Sequence, residues 1–285
     1  MILVGVVALA GCSKESNASG GIGGQVRHQI IGIDPGAGLT KQTKEAMDEY
    51  SLSDWKLVEG SGAAMAAALE KAYKNEKPII VTGWTPHWMF AKYKLKYLED
   101  PKGAYGEDEA IHTIVRNGLK DDAPSAYAML DRFEWTPEEM AVVMNAITEG
   151  AKPEAAAAKW VDDNAAKVDT WVKDIPQEAG KKLKLAYVAW DSEIASTNVV
   201  KQVLEQRLGY KVEMMQVEAG PMWAGIANRS ADAIVAAWLP TTHQDYFDKY
   251  QGQFEDLGAN LTGTKLGLVV PEYMDINSIE DLKTK

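Results

Sequence analysis

The apolar positions form two matching series of short runs. In the first, the unbroken run at residues 29–34 (Gln-Ile-Ile-Gly-Ile-Asp) predicts a buried strand. The turn Pro35-Gly36-Ala37-Gly38 follows it, and residues 39–50 predict a helix. Residues 56–58 predict a second strand, 63–75 an alanine-rich helix with Met65 and Leu69 on one face, and 78–81 a third strand leading into a loop at Trp84. The second series begins after residue 183. It reads strand 185–188, loop 190–196, helix 198–208 stopped by Gly209, strand 212–217, helix 221–228 and strand 233–236 ending at Trp238. Landmarks repeat at offsets of 154 to 157 residues: Trp84 with Trp238, Ile33 with Val188, Met65 with Met222. Strands alternating with helices predict an α/β fold of two similar lobes, each a mostly parallel sheet flanked by helices, with a cleft between them.

A helical block separates the two series. Thr136-Pro137-Glu138-Glu139 carries an N-cap threonine, proline at the first helical position and glutamate at the third. Lys152-Pro153 starts another helix, running through Trp160 towards Trp171, and Trp135, Trp160 and Trp171 are expected to pack. The late apolar run 266–274 is followed by too little chain to found a domain, so it is expected to cross back and complete the first lobe. The expected division is 27–112 plus 271–285 for lobe I and 113–270 for lobe II.

A chain of 285 residues accommodates two such units of ~100–150 residues. A net charge of −11 argues against nucleic acid, whose binding requires a basic surface. The four histidines, at 28, 87, 112 and 243, show no metal-ligand spacing, and neither a metal nor a cofactor is expected. Cys12 is the sole cysteine, which excludes an intrachain disulfide. It closes an uncharged apolar run, residues 1–12, too short for a bilayer span and suited to a signal peptide. Leu9-Ala10-Gly11-Cys12 resembles the lipobox of bacterial lipoproteins, which implies lipidation of Cys12; residues 13–26 read as a flexible tether.

Ligands of open α/β sheets bind beyond the carboxyl ends of strands. Trp84, Trp190, Trp238 and the Gly36–Gly38 turn all follow predicted strands. Three indoles facing one space suit a quaternary ammonium, which has no N–H to donate and is held on ring faces at ~0.5–2 kcal/mol each. The turn before a helix offers free N–H groups and partial positive charge to a carboxylate. His243, five residues past Trp238, adds a donor. A cation cage beside an anion turn describes a betaine. Trp88 reads as lying behind Trp84, Trp223 as core, and Asp191 and Glu193 as caps of a helix starting near Asn198.

The segments Ile31-Gly32-Ile33-Asp34-Pro35-Gly36, Gly83-Trp84-Thr85-Pro86-His87-Trp88-Met89-Phe90, Ala189-Trp190-Asp191-Ser192-Glu193-Ile194-Ala195-Ser196-Thr197 and Val217-Glu218-Ala219-Gly220-Pro221-Met222-Trp223 resemble the glycine betaine-binding lipoproteins of OpuA-type ABC importers. The resemblance spans essentially the whole chain. It implies a two-lobed type II periplasmic-binding-protein fold and a monomer that captures glycine betaine or a related betaine for a permease and its ATPase, in osmoprotection. By the same resemblance Trp84, Trp190 and Trp238 form a prism around the trimethylammonium, the amides of Gly38 and Leu39 hold the carboxylate, and His243 assists. Leu39 stands where the family carries isoleucine, and only its N–H is needed. The implied location is extracytoplasmic, lipid-anchored to the outer face of the cell membrane.

Choline and carnitine are alternative ligands of such a cage. A hydrolase or a sugar-binding cleft would also use tryptophan platforms. Yet the chain has no nucleophile elbow, no phosphate loop and no cysteine nucleophile near these loops, and few of the polar side chains a sugar requires. An enzyme is therefore not expected.

Overall fold

The structure, a computed structural model, describes residues 21–106 and 109–283. Its strands are β1 (Gln29–Ile31), β2 (Lys56–Val58), β3 (Val81–Thr85), β4 (Leu95–Tyr97) and β5 (Ala110–Arg116). They continue with β6 (Lys182–Tyr187), β7 (Lys211–Gln216), β8 (Ala233–Leu239), β9 (Phe254–Leu261) and β10 (Lys265–Pro271). Two five-stranded sheets result, ordered β2-β1-β3-β10-β4 and β7-β6-β8-β5-β9. The orders are equivalent, so the repeated offset in the sequence is a repeated topology. β1, β2 and β3 correspond to β6, β7 and β8, and each sheet is completed by strands from the crossing segments.

Those crossing strands correct the expectation of mostly parallel sheets. β10 runs antiparallel to β3 and β4, and β5 runs antiparallel to β8 and β9, so both sheets are mixed. A strand entering from the opposite lobe meets the third parallel strand head-on. The same strands bear on the expected boundaries. All of β5 lies in the second sheet and all of β10 in the first, so the changeovers precede residues 110 and 265 rather than following 112 and 270.

The helical block belongs to the second lobe. The capping box forms as its sequence dictates: Thr136 N–H donates to Glu139 Oε2 at 2.7 Å and Glu139 N–H to Thr136 Oγ1 at 3.3 Å. The helix opened by Pro153 stops at Asp163, where the Asn164 side chain donates to the Trp160 carbonyl, and a new helix Ala165–Val172 follows. Trp135, Trp160 and Trp171 are buried there with Phe133. The Trp160 and Trp171 rings stack at 6.1 Å, and Phe133 meets Trp171 edge-on at 5.1 Å.

At the N-terminal side, Ile22–Gln25 is a short helix and Val26 joins the core, so residues 22–26 are part of the folded unit and not tether. Cys12, the signal run and residues 13–20 lie outside the described residues. No described helix is long and apolar enough to cross a membrane.

Candidate functional site

Trp84 and Trp238 are not beyond their strands but within them, each at the penultimate position of β3 and β8. Each strand is followed by a cis proline, Pro86 and Pro240. Trp190 is the N-cap of a helix that runs unbroken from Asp191 to Leu208, where a loop at 190–196 was expected. Asp191 and Glu193 therefore occupy its first turn and do not cap a later helix. The pattern conceals this start because Ser192, Glu193, Ser196, Thr197 and Asn198 are all buried, so the first half of the helix has no exposed polar face to mark its period.

The two lobes bring the three indoles together. Trp84 comes from the first lobe, Trp190 and Trp238 from the second, and all are at most 5% exposed. With Ile33, Leu39, Thr242 and Leu266 they line one small, nearly filled cavity. The Trp84 and Trp190 rings are 6.5 Å apart and inclined by 51°. A wider, more open groove lies elsewhere, among Lys182, Lys184, Lys211 and Glu213. Its lining is mostly charged and has no aromatic ring, unlike the smaller cavity.

Every cage indole donates its N–H. Trp190 Nε1 donates to Asp34 Oδ2 at 2.8 Å and Trp84 Nε1 to Ser192 Oγ at 3.3 Å, both across the cleft. Trp238 Nε1 donates to Glu193 Oε1 at 2.6 Å within the second lobe. Each ring is thereby held by its N–H edge. Further contacts tie the lobes in the same closed arrangement: Lys41 Nζ to Asp245 at 2.6 Å, and the Tyr246 hydroxyl to the Gly36 carbonyl at 3.1 Å. His87 Nε2 lies 3.2 Å from Asp191 Oδ2, an ion-pair distance without hydrogen-bond alignment.

The helix Gly38–Glu49, with Ala37 at its N-cap position and no side-chain cap, begins beside the cavity that Leu39 lines. Gly38 and Leu39 are its first two residues, whose N–H groups have no intrahelical acceptor. Gly38 meets the opposite lobe so closely that an added Cβ would fall 2.0 Å from the Thr242 carbonyl oxygen. His243 follows. Its Nδ1 accepts the Trp238 backbone N–H at 3.0 Å, which places the ring proton on Nε2. Nε2 is buried without a partner among the described residues. The ring stacks on Trp190 at 5.9 Å, and Trp223, fully buried, supports it edge-on at 5.9 Å. Trp88 packs beside His87 with centroids 5.3 Å apart. The loop before His243 is held by Glu109, whose carboxylate accepts the Thr241 N–H at 2.7 Å, the Thr242 N–H, and the Thr242 hydroxyl at 2.7 Å. Asp34, Glu193, Ser192 and Glu109 were not among the expected site residues. The one sequence signal was the carboxylates' place, Asp34 at a strand end and Glu193 just after Trp190.

Burial pushes the His243 imidazole down to about 3, so it stays neutral at ordinary pH. Its folded pKa lies below the unfolded value near 6.5, so its contribution to stability is complete above pH ~6.5 and falls by about 1.4 kcal/mol per pH unit below it. His243→Gln is expected to lose less melting temperature than the parent between pH 7 and pH 5, without ligand. Equal losses in thermal melts would contradict this.

The family of substrate-binding domains of ABC-type glycine betaine transport systems matches residues 10–163 and 181–285. The chain belongs to that family. Over 285 aligned residues it is 52% identical to the glycine betaine/carnitine transport binding protein GbuC of Listeria monocytogenes, covering 98% of this chain and 95% of that one. Among solved structures, lactococcal OpuAC closed on glycine betaine is 50% identical with a TM-score of 0.51, over 52% of this chain and 59% of that one. A glycine betaine/L-proline-binding protein, ProX, from Borrelia burgdorferi is 36% identical with a TM-score of 0.51, over 53% and 58%. In this OpuAC-family chain, then, the two mixed sheets are the lobes of a substrate-binding protein.

Proposed function

We propose that the cavity binds a betaine, glycine betaine first, and that the chain delivers it to the permease and ATPase of an importer. The observation that carries this is the pairing of unlike ends. Three indoles line the cavity, and so do Leu39, at a helix start with unpaired N–H groups, and Thr242, next to the neutral His243 whose Nε2 has no partner among the described residues. A trimethylammonium fits the first and a carboxylate the second. The relatives named for glycine betaine support that choice. The role proposed is capture, the role of the substrate-binding family to which the chain belongs. The lipobox-like Cys12 supports anchoring to the outer face of the cell membrane.

Tryptophan fluorescence, cross-checked by calorimetry, tests the reading with glycine betaine, dimethylglycine and choline. Saturable binding of glycine betaine, much weaker for the other two, supports a site that reads both the third methyl and the carboxylate. No response to any of the three contradicts it. His243→Ala is expected to weaken glycine betaine by about tenfold and choline by less, because the lost charge-assisted hydrogen bond is worth roughly 1.5–3 kcal/mol only to a carboxylate. Equal losses would remove His243 from the anion site.

A further inference from the structure

Glu193 is an ionisable group at the cage that capture, as described, does not use. It is fully buried in the first turn of the helix Asp191–Leu208. One carboxyl oxygen accepts the Trp238 indole N–H at 2.6 Å, and the other accepts the Ser192 hydroxyl at 2.9 Å. That hydroxyl accepts the Trp84 indole N–H in turn. The carboxyl therefore stands behind one cage ring and one hydroxyl away from a second. No lysine, arginine or histidine pairs with it among the described residues, and the charged neighbour that acts on it, Asp191, has the same sign. Burial pushes its carboxyl up to about 7.

A carboxylate in a first helical turn is ordinarily explained by the helix dipole. That role is open to an exposed side chain and needs no indole partner. A buried carboxylate without a counter-ion is costly, and removing its charge is the usual escape. Here the cavity lined by the same Trp238 offers another: a cationic ligand supplies the missing charge. An indole donating to an anion also presents a more electron-rich face to that cation. Asp34 repeats the arrangement behind Trp190.

We propose that Glu193 is the counter-ion of the cage, a positioning and specificity-determining residue whose carboxylate, held by Trp238 and Ser192, favours a positively charged trimethylated head over a neutral head of the same shape. This rests on the betaine reading of the cavity. The test compares glycine betaine with tert-butylacetate, in which a quaternary carbon replaces the quaternary nitrogen, and choline with its tert-butyl isostere. Calorimetry on the full chain gives the affinities of the two ligands with a cationic head, and displacement gives those of their analogues with a neutral head. Glu193→Gln keeps an oxygen for the Trp238 indole but removes the charge; Glu193→Asp keeps the charge.

The cation-to-neutral affinity ratio is expected to fall about tenfold in Glu193→Gln and to be largely retained in Glu193→Asp. The ratio is taken within one protein, so a partly misfolded sample does not alter it. An unchanged ratio in Glu193→Gln, or loss of charged and neutral ligands together, assigns Glu193 a structural role and overturns the proposal. If the parent protein binds none of the four compounds, the betaine reading falls as well. If it binds the cations and only the ratio fails to move, the counter-ion role alone falls.

Discussion

Gly38→Ala is expected to hold the lobes apart and to weaken glycine betaine binding by about a hundredfold or more. The added methyl would lie 2.0 Å from the Thr242 carbonyl oxygen and 2.4 Å from its Cα, both backbone atoms. Backbone cannot swing aside as a side-chain tip can, and this stretch of backbone is clamped by Glu109. Closure must therefore stop short, and the Gly38 and Leu39 amides cannot meet His243 over one carboxylate. Gly36→Ala is the internal control. It changes the same turn, yet its methyl would meet only the Tyr246 hydroxyl at 3.7 Å, an ordinary contact. Calorimetry should find Gly36→Ala close to the parent and Gly38→Ala severely impaired. Small-angle scattering should show that Gly38→Ala no longer contracts with ligand. A Gly38→Ala protein that binds and contracts normally would mean the lobes do not close on this residue.

Trp84→Ala should cost ~1–2 kcal/mol of binding from the lost ring face, and more through closure. Trp84 is the first lobe's one indole in the cage, and its N–H reaches Ser192 across the cleft. Its removal takes away both a wall and a latch. Trp84→Phe keeps a ring but loses the N–H, so it should fall between the parent and Trp84→Ala. The dissociation constant of each variant is the readout. An unchanged value for Trp84→Ala would exclude that residue from the cage.

The parts of this site legible in sequence are those written in local pattern. Trp84 and Trp238 follow β-branched runs at matching positions, and the turn before Leu39 is punctuated by Gly36 and Gly38. The strands β5 and β9 were illegible. β9 contains Asp256, Gly258 and Asn260, poor strand formers, and its pairing with β5 shifts register twice. The carboxylates behind the indoles were illegible for a different reason. Asp34 meets Trp190 across 156 residues and Glu193 meets Trp238 across 45, and no spacing rule links them. Their partners are set by how two sheets close on each other. The start of the helix at Asp191 was lost in the same way, because only tertiary hydrogen bonds make its buried polar residues acceptable.

Glu109 sits where the two crossing segments touch. Its carboxylate grips Thr241 and Thr242, and its carbonyl oxygen accepts the Thr264 hydroxyl from the returning segment. Both connections between the lobes are thus stitched to the loop bearing His243. Any swing of one lobe against the other must pivot on the first-lobe side of this stitch, or tear it. The histidine then travels as a fixed fitting of the second lobe, while Gly38 and Leu39 travel with the first. On the betaine reading the carboxylate grip would be a two-part clasp whose halves part whenever the molecule yawns, so release of the anion end would be geared to opening and need no separate trigger.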